Sequence, residues 1–332
     1  MKKLLSKYSF CTKLIPPGAS VVICQTGRRK KDARRQIRKI WGGMSLKKAA
    51  PLLILLAGVL WGSMGLFVRT LNSLGLASMG IVSLRAIVTA ISMLVFLLIF
   101  DRSRLHIRLR DLWCFLGTGI LSIIFFNYCY FSAITLTSMS VAAVLLYTAP
   151  AIVMILSFFL FGEKFTVKKI IALVLTFVGC VLVTGVIGET AQVSAAGILT
   201  GLGAGLGYAL YSIFSRYALE RGYHSLTITF YTFLIAAIAS LFMTEPARVL
   251  SAAASSPGML LFSASFGVLC TVVPYLTYTL GLTQVENSRA SIIASVEPVT
   301  ATILGAVLFH EQLTFSGVLG MAMVIAALVI CA

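Results

Sequence analysis

Of 332 residues, 59% are hydrophobic and 11% charged, with a mean hydropathy of +1.00; this leaves too little polar surface for a water-soluble domain and reads as an all-α polytopic membrane protein. A net charge of +17 would suit nucleic acid if it were spread over a fold, but 14 of the 27 Lys and Arg lie in residues 1–48 against Asp32 alone, giving that tail +13 and the other 284 residues +4. The charge belongs to the tail, and no nucleic-acid partner is expected.

The tail comes first in chain order. Its run from Arg28-Arg29-Lys30-Lys31 to Arg38-Lys39 suits anionic headgroups, at about 1 kcal/mol per basic residue near the surface, or a disordered cytoplasmic segment. It is no signal peptide, because Lys7, Lys13 and Pro16-Pro17 interrupt its apolar stretch. The sequence MSLKKAAPLLILLAGVLWG from Met44 has the form of an ordinary membrane-protein start. A translation start there is the alternative for residues 1–43.

At about 20 apolar residues per span, ten helices are predicted, near 51–70, 78–100, 111–132, 138–161, 166–186, 196–219, 225–243, 258–281, 289–309 and 314–331. Basic residues mark alternate connections. Arg102, Arg104, Arg108, Arg110, Lys164, Lys168, Lys169, Arg216, Arg221 and Arg289 fall on one side, and only Arg69 and Arg248 on the other. The positive-inside rule then puts both termini in the cytoplasm, with a cell membrane, bacterial and inner, as the expected location.

The fourth and ninth spans are copies. With an offset of 148 residues, Pro150 falls on Pro298, Glu163 on Glu311 and Thr166 on Thr314, while Trp61 to Arg69 matches Tyr208 to Arg216 at 147. Two five-span halves follow, residues 49–187 and 188–332. An odd number of spans turns the second half over, which is the inverted-repeat plan of many secondary transporters. The segments TAPAIVMILSFFLFGEKFT and VEPVTATILGAVLFHEQLT, with Arg85 in the second span, resemble the repeat ends of EamA-type transporters of the drug/metabolite transporter superfamily. That resemblance implies ten helices in two inverted five-helix repeats. It also implies a central cavity from spans 1 to 4 and 6 to 9, and carriage of diverse small metabolites.

Polar stripes at helical spacing nominate the cavity wall: Ser78, Arg85, Thr89 and Ser92 in span 2; Asn127 and Tyr130 in span 3; Tyr208, Tyr211, Ser212 and Ser215 in span 6; Thr271, Tyr275, Tyr278 and Thr279 in span 8. Single hydroxyls read first as helix-to-helix hydrogen bonds. The aromatics Trp61, Tyr147, Tyr211, Tyr275 and Tyr278 suit an organic solute and cation-π contact. Candidate substrate-binding residues are therefore Trp61, Arg85, Asn127, Tyr130, Tyr147, Tyr211, Tyr275 and Tyr278. Pro150 and Pro298 are expected to break their helices.

Arg85 and Glu297 are the charges placed well inside spans, where an unpaired charge costs at least a few kcal/mol. Three roles stay open: pairing with each other across the repeats, an Arg85 contact to a substrate carboxylate, and proton uptake and release by Glu297. In the first repeat Ala149 stands opposite Glu297, so its role is played once per chain. Glu163 and Glu311 are expected to accept backbone donors at the start of the helix that follows each.

An intramembrane enzyme is disfavoured. Asp32, Asp101 and Asp111 and all three histidines, His106, His224 and His310, lie in the tail or at span ends, and His310-Glu311 lacks a second zinc-ligating His. The seven cysteines form no CxxC. No cofactor or metal is expected. The composite expectation is a secondary active transporter, an exporter of an amino-acid-like or aromatic metabolite, working by alternating access as a monomer or weak homodimer, with protons as candidate coupling ion. A channel or lipid scramblase on the same architecture is the alternative.

Overall fold

The computed structural model describes residues 46–186 and 194–331. The expectations for the tail at 1–43 and for a repeat boundary at 187/188 lie outside them. All regular structure among the described residues is helical. The first span comprises α1 (Leu46–Gly62) and α2 (Met64–Ser73), parted at Ser63. α3 (Ser78–Phe100) follows. The third span runs from α4 (Leu112–Leu116) through a π-helical stretch, Gly117–Ile124, into α5 (Phe125–Leu136). The fourth consists of α6 (Met139–Leu146) and α7 (Ala149–Phe161), and α8 (Val167–Val183) ends the first half.

The second half repeats this order. It contains α9 (Ala195–Glu220), α10 (Ser225–Leu241), a short α11 (Pro246–Ala253), then α12 (Pro257–Gly267) joined through π-helical Val268–Val272 to α13 (Val273–Gly281). The broken pair α14 (Asn287–Ala294) and α15 (Glu297–Phe309) and the final α16 (Phe315–Cys331) complete it.

Seven helical stretches among the described residues are long and apolar enough to cross a bilayer, and α10 with α11, bent by 117°, makes an eighth. The chain is a multi-pass membrane protein. α8 and α16 have 17 residues each, about 26 Å at 1.5 Å per residue, short of a hydrocarbon core of roughly 30 Å. On length and composition the expected count of ten is therefore not reached.

Local chemistry explains the element ends. Ser138, Thr166, Ser194, Ser256 and Thr314 each accept a backbone N–H from three residues on, at 3.0–3.3 Å, and so satisfy a donor that the first helical turn leaves free. In the broken spans the interruptions fall at Tyr147–Thr148 and Ser295–Val296. Pro150 and Pro298 are the second residues of α7 and α15, where the missing N–H costs nothing but the ring bars continuity with the turn before it.

The halves meet through matched close approaches. A Cβ built on Gly58 of α1 would lie 2.7 Å from the Ala294 carbonyl oxygen at the break before α15; one on Gly205 of α9 would lie 2.6 Å from Thr148 Oγ1 and 3.0 Å from the Leu145 carbonyl at the break before α7. Each glycine seats its helix against the interruption in the other half. On the basic-loop side the halves are tied again. Tyr223 donates to Asp111 at 2.8 Å, Arg221 pairs with Asp111 at 3.2 Å, and Thr227 donates to the Arg104 carbonyl at 2.9 Å.

Candidate functional site

Trp61, near the end of α1, anchors a column of rings. Its centroid lies 5.1 Å from Tyr275, 5.3 Å from Tyr278 and 6.2 Å from Tyr208, mostly edge to face, the orientation that ring quadrupoles favour. The column continues from Tyr275 to Tyr211 at 4.9 Å and to Phe233 at 4.8 Å, and from Tyr208 through Phe126 to Tyr130 at 5.7 and 5.9 Å. Two hydrogen bonds between α9 and α13 hold it in place: Tyr211 with Thr279 at 2.9 Å and Ser212 with Tyr278 at 2.7 Å.

Glu297 is the first residue of α15. Its carboxylate accepts from Tyr208 Oη at 3.3 Å, so the carboxylate belongs to the same column. Glu297, Tyr130, Tyr147 and Tyr208 are half-buried although they lie near mid-span, whereas Trp61, Tyr211, Tyr275 and Tyr278 are buried. A carboxylate facing lipid is disfavoured. Exposure thus falls from Glu297, Tyr130, Tyr147 and Tyr208 to the buried cluster of Trp61, Tyr211, Tyr275 and Tyr278. Tyr147 packs against a cluster of Cys180, Val296, Val299 and Val324.

Arg85 is 3% exposed. Its Nη1 faces Met64 Sδ at 3.1 Å, while Nε and Nη2 have no hydrogen-bond partner among the described residues, nor has Trp61 Nε1. Met64 itself packs on the Trp61 cluster. Among the described residues no ion pair joins Arg85 to Glu297, so pairing across the repeats, one of the three open roles, is not what this conformation shows. The arrangement sets a buried guanidinium with two unused donors and a carboxylate against the same aromatic column.

Asn127 is placed differently from the other candidates. Its amide donates at 2.7 Å to the carbonyl of Ile123, within the π-helical stretch that precedes α5. The capping expectation for Glu163 and Glu311 is corrected. Glu163 accepts from Asn287 N at 2.7 Å and Ser288 N at 3.1 Å, so it caps α14 in the other half, and Thr166 caps the helix next in chain. Among the described residues Glu311 caps no helix and pairs with Arg69 at 3.3 Å on the surface. Sequence reasoning left out Met64, Phe126 and Phe233, which carry no polar atom to stand out in an apolar span. Tyr208 was visible in the span 6 stripe, but its carboxylate partner lies 89 residues away.

Comparison with known proteins places these features in a family. The model of the EamA-like transporter family matches residues 48–185 and again 195–332. An uncharacterized transporter of Archaeoglobus fulgidus is 32% identical over 279 residues, 83% of this chain and 94% of that one. The uncharacterized transporter YwfM of Bacillus subtilis is 26% identical over 84% of this chain and 92% of its own length. One crystal structure superposes with a TM-score of 0.70 over 85% of this chain and 96% of that chain at 18% identity, a likeness of fold alone.

Proposed function

This chain belongs to the EamA-like transporter family, and from that premise we propose that it is a secondary active exporter of a small organic metabolite bearing a carboxylate on an aromatic or amino-acid-like body. Buried Arg85, with Nε and Nη2 unpartnered beside a column of eight aromatic rings, carries this reading. A buried donor without an acceptor costs about 1–3 kcal/mol, more when charged. A carboxylate arriving at Arg85 relieves that cost and is held by a planar, bidentate fork. The rings offer stacking to the rest of the solute, and Trp61, Tyr208, Tyr275 and Tyr278 are the residues assigned to it.

Glu297 and Tyr208 serve in this reading as the end of the site that receives the solute's cationic group, or as the proton carrier that couples transport to a gradient. The ten-helix count, halves at 49–187 and 188–332, cytoplasmic termini in a cell membrane and a working monomer or weak homodimer belong to the same proposal. It is a carrier and not an enzyme. Purified protein in proteoliposomes is screened by thermal shift against a metabolite panel and then by counterflow with each hit. A hit that stabilises the parent but not Arg85→Ala, and exchanges saturably, supports the reading. Conductance that rises linearly with concentration means a pore.

A further inference from the structure

The two halves are alike in sequence but not in posture. At the offset of 148, α14 corresponds to α6 and α7 to α15. In α14, seven of eight residues are buried, including Asn287, Ser288 and Ser291; in α6 only Ala142 and Leu146 are, and Met139, the counterpart of Asn287, is 68% exposed. α14 packs along α7, whereas α6 and α15 make no comparable contact. The molecule is shut where α7 meets α14, on the basic-loop side, and open at the equivalent place on the opposite face.

Glu163 stands at the shut end. Both of its carboxylate oxygens are used, on Asn287 N and on Ser288 N and Oγ, and Lys169 lies 3.8 Å from Glu163 and 2.6 Å from Glu286. The Glu163 and Lys169 side chains are 9% and 7% exposed. Glu311, its twin at the open end, is 60% exposed and leans on Arg69, which also covers the Phe309 ring at 4.2 Å. Arg69 has its own counterpart in Arg216, whose Nη1 donates to the Leu282 carbonyl.

We infer that Glu163 and Glu311 form a two-position latch: in this state Glu163 seals the basic-loop side by capping α14, and in the opposite state Glu311 leaves Arg69 to cap α6 at Met139 and Ser140 while Glu163 turns toward Arg216. The inference rests on the alternating-access reading above. An anionic side chain on a helix N-terminus is stabilised by the donors and dipole there. Moving that contact from one face to the other trades one anionic cap for another, while Lys169, whose counterpart at this offset is Gly317, weights the balance toward the posture closed at α14. Glu163 is thus a positioning residue for transport and touches no solute.

Hydrogen exchange on the full-length protein in lipid nanodiscs tests it. Glu163→Gln is expected to speed amide exchange across residues 287–294 at least tenfold and to slow it across 139–146; Glu311→Gln is expected to slow 287–294. Loss of a mere local cap would speed 287–294 and leave 139–146 unchanged, and that result overturns the latch. If Glu163→Gln unfolds the protein, Arg69→Gln, which frees Glu311, is expected to slow 139–146, and no change there overturns the latch as well. Saturable counterflow by the parent alongside either failure leaves the carrier standing, whereas non-saturable flux removes carrier and latch together.

Discussion

His310 is the one non-glycine residue with positive φ among the described residues, at 56°; its counterpart Gly162 ends α7 at 66°. A side chain in that region costs about 1 kcal/mol that glycine avoids. His310→Gly should therefore raise stability by about 1 kcal/mol, and Gly162→Ala should lower it by a similar amount, both read from thermal unfolding in detergent. At this scale the sequence was legible where chemistry is rare. Arg85 and Glu297 stood out because a charge in an apolar span has few explanations. The thioether that Arg85 faces did not, because Met64 looks like any apolar residue until the fold brings it there. Arg85→Lys sharpens the assignment: it keeps the charge but loses the fork, so solute affinity should fall about tenfold or more in counterflow while expression is maintained.

Helix ends and crossings respond to conditions and to volume. His224 precedes α10 and its Nδ1 accepts from Leu226 N at 3.2 Å, which requires that nitrogen to be unprotonated. Partial desolvation and then the Arg104 charge hold its pKa near 4, below the usual 6.5. The unfolded chain takes up this proton first, so its effect on stability is absent above about pH 6.5 and grows as a loss between there and pH 4. His224→Asn keeps a capping oxygen that does not titrate, and it should flatten the pH dependence of unfolding in that window. Gly58 and Gly205 are limited by space: Gly58→Ala drives a methyl into the Ala294 carbonyl and should destabilise by about 1–3 kcal/mol. Hydropathy and the duplicated prolines made the spans and their pairing legible. The π-helical stretches at Gly117–Ile124 and Val268–Val272 were not, because a change of hydrogen-bond register leaves hydropathy unchanged. α11 was missed because eight residues of mixed polarity give no span signal.

The family model matches the chain twice, and under the alternating-access proposal the energy that separates the two postures must be small for a carrier to cycle. A charge-assisted cap contributes about 1.5–3 kcal/mol, so losing one shifts a two-state balance by roughly 10- to 150-fold. The Glu163 and Glu311 sites act on opposite faces and, among the described residues, have separate partners, so their effects should add with opposite sign. Under the latch, Glu163→Gln favours the posture closed at α6, Glu311→Gln favours the posture closed at α14, and the double variant returns near the parent. Measured as the ratio of exchange rates in 287–294 and 139–146, the double variant should lie within about threefold of the parent while each single variant departs by tenfold or more. A double variant that departs as far as Glu163→Gln alone would mean that Glu311 takes no part in the cycle.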